Sequence, residues 1–256
     1  YEISRAEEAY ALISGKKEEP YLGVLITYPF STQEKKEMIT LSPGTTISHK
    51  AASSVVDVVQ LGVLGAGNFA GAVLLPAIAK VGKIQRVSIC SANGVSAQAA
   101  AKRFGFSTVV STEEELLSSE AINTVAVLTR HHLHASQTLA ALQHGKHVFC
   151  EKPLALTLAE LENLEQWLAD HPDSPILMVG FNRRFSPLMR ALAEFYQTRK
   201  EPLMGHYRVN AGYIPLQHWV HDPQQGGGRL RGEVCHFIDA LTFLCSSRSE
   251  EHTSEL

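Results

Sequence analysis

The strongest constraint on the fold is an alternation of apolar segments and helices that starts near Val59. An apolar run at 58–64 leads into a glycine turn and a helix, and the same order recurs as far as residue 179. Each helix must carry the chain back across the sheet before the next strand begins, which requires parallel strands and right-handed crossovers. The sequence therefore predicts an α/β fold with a doubly wound parallel sheet.

The boundaries of these elements follow from apolar runs and helix caps. Capping boxes at Thr112 with Glu115 and at Thr157 with Glu160 mark two helix starts, and Gly105 marks a helix end. The predicted strands are 58–64, 86–90, 108–110, 124–128, 147–150 and 176–179.

The regular alternation ends near residue 180, beyond which the pattern of a second domain appears. A long predicted strand at 205–213 and a glycine run at 226–228 are typical of a domain built on a mainly antiparallel sheet. We therefore assign 59–153, with returning elements to about 180, to the first domain, and 154–247 to the start of a truncated α+β domain. Residues 248–256 resemble the translation of a sequencing adapter and are excluded from the fold prediction, so the natural gene is expected to continue further.

The N-terminal residues 1–40 do not fit the alternation. Apolar positions predict a helix at 4–17, and a strand is predicted at 21–28. One helix and one strand cannot enclose a core, so this piece is expected to be the tail of a preceding domain. Residues 41–58 are rich in Ser, Thr, Pro and Gly and are predicted to be a linker.

Composition and charge restrict the class of function. The 256 residues are 45% apolar and 19% charged, as in ordinary globular proteins, and the net charge of −3 provides no basic surface for nucleic acid or anionic lipid. No apolar run approaches the roughly 20 residues that span a bilayer. The four cysteines form no Cys-x-x-Cys pair, which favours free thiols in a reducing compartment over disulfides or a metal site. We expect a cytoplasmic protein that does not bind membranes or nucleic acid.

The turn after the first strand has the spacing of a dinucleotide-binding fingerprint. In Gly65-x-Gly67-x-x-Ala70, Gly65 permits the tight turn, Gly67 allows close approach of a pyrophosphate, and Ala70 allows close helix packing. Asn68 and Phe69 complete the turn, and the N–H groups of the following helix attract the anion. Taken alone the motif also fits a purely structural turn, but its place between strand and helix favours a cofactor.

The usual acidic partner of the adenosine ribose is missing after the second strand of the alternation. Ser91 stands there instead of a carboxylate, so a 2′-phosphate is not repelled. Lys102 and Arg103 on the next helix are candidates to contact that phosphate. NAD and NADP therefore both remain open, as does the reading of Ser91 as a simple loop residue.

Two further segments carry candidate catalytic groups. Lys152 follows the strand 147–150 at its carboxyl end, where ligands of open α/β sheets bind, although a solvated surface lysine is the alternative. His236 and Asp239 lie one helical turn apart, with Glu233 one turn before His236. A histidine beside carboxylates can act as a general base at neutral pH, and the alternative is a hydrogen-bonded helix histidine without chemistry.

Three clustered histidines raise the question of a metal site. His131, His132 and His134 lie in a predicted strand-to-helix turn, but no fourth ligand is apparent from the sequence. We therefore predict no metal.

In combination these motifs resemble the Gfo/Idh/MocA family of NAD(P)-dependent oxidoreductases across about 59–245. The matching pieces are 65–70, 129–134, 140–156 with Glu151-Lys152-Pro153, 180–185, Trp219-x-x-Asp222-Pro223 and 226–228. The resemblance implies a Rossmann domain followed by a mainly antiparallel α+β domain, with substrate at their junction. Residues 1–30 are similar to the last helix and strand of zinc-type medium-chain dehydrogenases, which implies a fused N-terminal dehydrogenase domain in the parent protein.

The resemblance also implies roles for individual residues. Lys152 becomes the substrate-binding and catalytic lysine, and His236 becomes the acid/base. Further implied substrate ligands are Asp239, Glu233 and one of Arg183 or Arg184. Further implied cofactor ligands, beside the turn 65–70 and Ser91, are Thr129, His131, His134, Glu151 and Lys152.

Two positions depart from the family pattern. Gly232 replaces the Asp that dehydrogenase members commonly carry four residues before the histidine, so either Glu233 takes over through a local distortion or His236 works without that partner. Arg130 replaces a common proline and adds a cation that favours an anionic substrate.

The implied activity is hydride transfer between a nicotinamide and a carbinol carbon of a sugar, cyclitol or nucleotide-linked sugar. Two alternatives stay open. One is a glycosidase or lyase of the same fold that uses tightly bound NAD, and the other is an NAD(P)-binding sensor without chemistry. The expected partners are a small sugar-like substrate and, in a homo-oligomer, further copies of the chain.

Overall fold

The computed structural model describes residues 1–13, 24–27, 39–40, 58–199, 203 and 205–245. The chain divides into two compact units, Tyr1–Glu37 and Met38–Leu256. The predicted linker residues 41–57 and the residues 248–256 lie outside the described ranges.

The first unit is small. A 3₁₀ turn at Ile3–Arg5 leads into helix α1 at Ala6–Ile13, which buries Ala9 and Leu12. Of the predicted strand, only 24–27 are described, and there Thr27 forms a single parallel bridge with Glu2. The predicted continuation of the helix to residue 17 lies outside the described residues.

The second unit is built on one seven-stranded sheet in the order β1-β4-β3-β2-β5-β6-β7. The strands are β1 Ile39–Thr40, β2 Val59–Leu64, β3 Ile84–Cys90, β4 Thr108–Val110, β5 Thr124–Val127, β6 His147–Cys150 and β7 Leu177–Val179. All pairings from β4 to β7 are parallel, which confirms the predicted doubly wound sheet. The short β1 pairs antiparallel with β4, so residues 39–40, assigned from sequence to the N-terminal piece, belong to this sheet.

Helices cover both faces of the sheet. They are α2 Leu75–Ile78, α3 Gly94–Phe104, α4 Glu113–Leu117, α5 His131–Gln143, α6 Leu158–Asp170, α7 Pro187–Tyr196 and α8 Cys235–Cys245. One buried layer contains Leu116, Leu142 and Leu164, and the other contains Leu75 and Phe104. Within the described ranges, no helix has the length and apolarity to cross a bilayer.

The region after β7 differs from the prediction. It contains 3₁₀ turns at Asn182–Phe185 and Trp219–His221, α7, a π-helical turn at Leu230–Val234, and α8. The predicted strand at 205–213 is wrong, because these residues are described without any strand. A strand needs a neighbour to complete its hydrogen bonds, and the described part of the chain supplies none here.

The order of the strands in the sheet predicts where a ligand would bind. Successive strands run outward from β2 to β4, and the chain then returns to the other side of β2 with β5, where Leu64 pairs with Val127. Ligands of open α/β sheets bind at such a reversal, outside the carboxyl ends of the strands.

Candidate functional site

The turn after β2 is shaped around Gly65. Its φ is +99°, and a Cβ at this position would lie 2.6 Å from the Leu128 carbonyl oxygen and 2.9 Å from the Thr129 nitrogen. The Gly65 N–H donates to the Cys90 carbonyl at 2.8 Å, which joins the ends of β2 and β3. Only glycine fits this close approach of neighbouring strands.

The next glycine faces open space. No atom lies within 4 Å of where a Gly67 Cβ would stand, and the Gly67 carbonyl accepts a helical hydrogen bond from Gly71 at 3.0 Å. The N–H groups of Asn68, Phe69 and Ala70 therefore lie in the first turn, where helices have no internal partner for them. An open backbone edge with free N–H groups fits a pyrophosphate, so this turn suits a dinucleotide.

The adenosine end of the predicted cofactor site lies where β3 leads into α3. Ser91 is half-buried directly after β3, and the Asn93 side chain caps α3 by accepting the Val95 N–H at 3.1 Å. Lys102 and Arg103 lie in the last turn of α3, roughly 12 Å along the axis from its start. That they reach a 2′-phosphate beside Ser91 stays a prediction, and their place at the far end of α3 does not favour it.

A cleft of about 380 Å³ opens beyond the phosphate turn at the carboxyl edge of the sheet. It brings together predicted site residues from five separate segments of the sequence. Its lining comprises Phe69, Leu128, Thr129, His131, His134, Glu151, Lys152, Asn182, Arg183, Ile214, Trp219, Val220, Gly232, Glu233 and His236.

His134, which lines the cleft, forms hydrogen bonds to the segments that follow two strands. Its Nδ1 lies 2.7 Å from the Pro153 carbonyl and its Nε2 lies 3.1 Å from the Thr129 carbonyl. Burial lowers the pKa of this imidazole, which is 1% exposed, so the neutral ring donates one of these bonds. Thr129 is held in turn by Gln137, at 2.6 Å between Oγ1 and Oε1.

His131 is held as a neutral ring. Its Nδ1–H donates to the Gly226 carbonyl at 2.8 Å, and burial lowers its pKa to about 4. The Trp219 ring packs edge-to-face against it, with centroids 4.9 Å apart. Among the residues that the structure describes, no cluster of His, Cys, Asp and Glu is arranged to hold a metal.

Lys152 follows β6 and reaches across the cleft. Its Nζ donates to the Gly232 carbonyl at 2.7 Å, and the Lys152–Pro153 peptide bond is cis. The preceding Glu151 is half-buried, and burial raises the pKa of its carboxyl group. Lys152 is thus fixed by a backbone oxygen, and an ammonium retains further N–H donors for a ligand.

His236 lies in the first turn of α8, on the same cleft. It is 9% exposed, and its Nδ1 is buried without a hydrogen-bond partner among the described residues. Burial, together with the charges of Lys152 and Arg183, lowers its pKa to about 4. The imidazole is therefore neutral at pH 7 and free to accept a proton.

The space that an Asp side chain would need at position 232 is occupied in the structure. A Cβ there would lie 2.9 Å from His131 Cε1, so the imidazole occupies the space of a side chain at this position. Gly232 lies in the π-helical turn that precedes α8. Glu233 lines the cleft but is bound by Arg229, at 2.9 Å between Oε2 and Nη2, so it does not replace the Asp as a partner of His236 in this structure.

The two candidate arginines have different surroundings. Arg183 lines the cleft, with its guanidinium 4.6 Å above the Phe237 ring. Arg184 forms a two-point ion pair with Asp239, with Nε 3.0 Å from Oδ2, and neither residue lines the cleft. Of the implied substrate ligands, the structure thus brings Arg183 and Glu233 into the site and pairs Arg184 with Asp239 outside it.

Sequence reasoning did not identify Asn182, Ile214 or Trp219 as site residues. Trp219 and Asn182 belong to segments that carried the family resemblance, which was an available signal. Ile214 follows the irregular segment 205–213, and its position depends on tertiary packing that no local pattern reveals.

Comparisons with known proteins agree with this geometry. Residues 59–181 match the model of a family described as an oxidoreductase family with an NAD-binding Rossmann fold. A 1,5-anhydro-D-fructose reductase from Ensifer adhaerens is 31% identical over 195 residues, covering 74% of this chain and 57% of the relative. A levoglucosan dehydrogenase from Pseudarthrobacter phenanthrenivorans is 34% identical over 170 residues, covering 62% and 42%.

A solved structure has the same fold. KijD10, a 3-ketoreductase from Actinomadura kijaniata in complex with NADP and TDP-benzene, superposes with a TM-score of 0.63 at 26% identity, covering 73% of this chain and 57% of that one. The chain spans about half the length of the curated relatives it matches.

Proposed function

We propose that this chain, whose residues 59–181 match the model of the Gfo/Idh/MocA oxidoreductase family, carries the cofactor site and catalytic groups of an NAD(P)-dependent dehydrogenase or reductase. The substrate is a sugar, a cyclitol or a nucleotide-linked sugar, and the reacting group is a hydroxyl or keto carbon. The observation that carries this proposal is the placement of Lys152 and His236 in one cleft beside the glycine turn.

The cofactor is bound along the carboxyl edge of the sheet. The first-turn N–H groups of Asn68, Phe69 and Ala70 would hold the pyrophosphate, and Thr129, His131 and Glu151, which line the cleft, would hold the nicotinamide. When bound, the nicotinamide supplies a hydride acceptor or donor.

Side chains of the protein orient the substrate and transfer the proton of its reacting hydroxyl. Lys152 donates a hydrogen bond to the reacting oxygen while Gly232 holds its Nζ. The neutral imidazole of His236 takes the hydroxyl proton during oxidation and returns it during reduction. Trp219 and Phe69 contribute apolar surface to the lining of the cleft.

The protonation of His236 gives a prediction for pH. Its proton-accepting form should persist down to about pH 4, far below the usual imidazole range, because burial and the charges of Lys152 and Arg183 oppose protonation. Arg183→Gln removes one of these charges, so the titration midpoint should rise. We expect NMR titration of the His236 ring, assigned with His236→Gln, to show both effects. A wild-type midpoint between 6 and 7 would contradict this account.

Turnover tests the function itself. Natural full-length protein, mixed with NAD⁺ or NADP⁺ and a panel of hexoses, inositols and anhydrosugars, should produce reduced cofactor, detected by its absorbance and fluorescence. Activity with at least one polyol and none without it supports a dehydrogenase. Cofactor that co-purifies and is never consumed while a glycosidic bond is cleaved supports the alternative of a glycosidase or lyase.

A sensor without chemistry is motivated by the absent side chain at Gly232. Cofactor binding without turnover of any substrate in the natural protein, together with an unchanged output in Lys152→Ala, would support it. The neutral, buried His236 facing the same cleft as Lys152 is the observation that favours the enzyme.

We further propose that residues 1–37 are the tail of a fused zinc-type medium-chain dehydrogenase and that the protein works in the cytoplasm. The first proposal is supported by a short unit of one helix and one bridged segment. The second is supported by four cysteines that are all free thiols. Sequencing the gene upstream of Tyr1 tests the fusion directly.

A further inference from the structure

The charges that line the cleft are not balanced. Lys152 and Arg183 are its cations, and Glu151 and Glu233 are its carboxylates. Glu233 is already paired with Arg229, through contacts of 2.9 and 3.1 Å to one carboxylate oxygen. Glu151 is half-buried and offsets one positive charge at most. One cation of the cleft therefore has no carboxylate partner among the residues that the structure describes.

Arg183 is that cation. Its neighbour Arg184, on the same 3₁₀ turn, is neutralised by Asp239, whose side chain is 8% exposed. Arg183 forms no ion pair within the described ranges, and its Nε is buried without a hydrogen-bond partner there. A partly buried guanidinium without an anion is costly, and a bound anion recovers that cost.

The surroundings of Arg183 fix the plane of its guanidinium. The group lies over the Phe237 ring at 4.6 Å, which restricts its rotation. A planar guanidinium in a fixed orientation binds a planar carboxylate through two parallel hydrogen bonds. Because Lys152 is directed to the reacting oxygen, one positive charge remains for recognition, which matches a single carboxylate better than a doubly charged phosphate.

We propose that the substrate is a sugar acid and that Arg183 binds its carboxylate while Lys152 and His236 act on a hydroxyl carbon of the same molecule. This inference rests on the oxidoreductase function proposed above and names its substrate class.

The chain contains a reporter for this binding. Of its two tryptophans, Trp219 lines the cleft, and Trp167 stacks on His171 in a different part of the molecule. In a Trp167→Phe background, the fluorescence of Trp219 therefore reports on ligands in the cleft. The protein is titrated, in the presence of saturating NADH or NADPH, with three sugar acids: D-glucuronate, D-galacturonate and D-gluconate. Parallel titrations use the matching neutral compounds D-glucose, D-galactose and D-glucitol. D-glucose 6-phosphate serves as a phosphate probe.

We expect at least one acid to bind roughly 10- to 100-fold more tightly than its neutral partner, the range of a charge-assisted hydrogen-bonded pair. Arg183→Gln should remove this preference, and Arg183→Lys should retain part of it. Arg190→Gln, on the exposed face of α7, is the matched control and should leave the preference unchanged.

Several outcomes overturn the inference. These are equal binding of acids and neutral sugars, tighter binding of the sugar phosphate than of any acid, no binding of any acid, and an unchanged preference in folded Arg183→Gln. Failure of the proposed function looks different, because NADH and NADPH then do not bind at all. The natural protein provides a second readout, in which the same preference should appear in kcat/KM.

Discussion

Gly67→Asp is expected to abolish saturable binding of NADH and NADPH while leaving the fold intact. The position has room for the new side chain, because no atom lies within 4 Å of its Cβ site. The carboxylate would stand beside the N–H groups that hold the pyrophosphate and would repel its negative charges. Two like charges about 4 Å apart repel by roughly 1 to 4 kcal/mol in a partly solvated site, so a loss of affinity of about 100-fold or more is expected.

Fluorescence titration with each cofactor measures the effect, and thermal unfolding shows that the variant is folded. Gly82→Asp is the matched control, since it makes the same change at an equally open, exposed glycine away from the glycine turn. We expect Gly82→Asp to bind both cofactors like the wild type. Binding by Gly67→Asp within threefold of wild type would show that the phosphates are not held at this turn. The tighter of the two wild-type ligands would also decide between NAD and NADP, which Ser91 leaves open.

The parts of the fold that the sequence predicted depend on local signals. The capping box at Thr157 forms as expected. The Glu160 N–H donates to Thr157 Oγ1 at 3.2 Å, and the Glu160 carboxylate accepts the Thr157 N–H at 2.9 Å. Gly105 ends α3 at a φ of +71°. Such caps and the strand–helix alternation act over a few residues, so a single sequence is sufficient to read them.

The parts that the sequence did not predict depend on contacts between distant segments. The pattern at 205–213 is typical of a strand, but no local pattern shows whether a partner strand is present. Likewise, the sequence left open which of Arg183 and Arg184 faces the substrate. The choice depends on Asp239, 55 residues away, which pairs with Arg184.

Gly232 shows that contacts between distant segments also decide the structure of the site. From the sequence, this position is only a missing Asp, and the two predictions were that Glu233 takes over or that His236 works without that partner. In the structure the position is filled by the ring of His131, which lies far away in the chain. The place of Lys102 and Arg103 in the last turn of α3 was, in contrast, available from helix geometry once the start of the helix was known.

The second large effect is expected for Lys152→Met, which should lower kcat/KM of the natural protein by roughly 10²- to 10⁴-fold, the range for loss of a group that assists proton transfer. Methionine keeps the length of the side chain but removes the N–H donors and the charge. Among the described residues, Nζ donates a hydrogen bond to the Gly232 carbonyl alone, so the folded state should lose little stability. Cofactor affinity should also change much less than turnover.

Lys146→Met is the matched control, because Lys146 precedes β6 while Lys152 follows it, so the same substitution is made at opposite ends of one strand. Lys146 Nζ donates to the carbonyls of Ser119 and Ile122, both at 2.8 Å, and the residue is 9% exposed. Its loss should lower the free energy of unfolding by about 2 to 4 kcal/mol, with kcat/KM of the folded fraction unchanged. Chemical denaturation and steady-state kinetics of both variants separate the two roles. If Lys152→Met retained near-normal kcat/KM with a substrate that the wild type oxidises, Lys152 would have no part in catalysis, and proton transfer would have to be assigned to His236 alone.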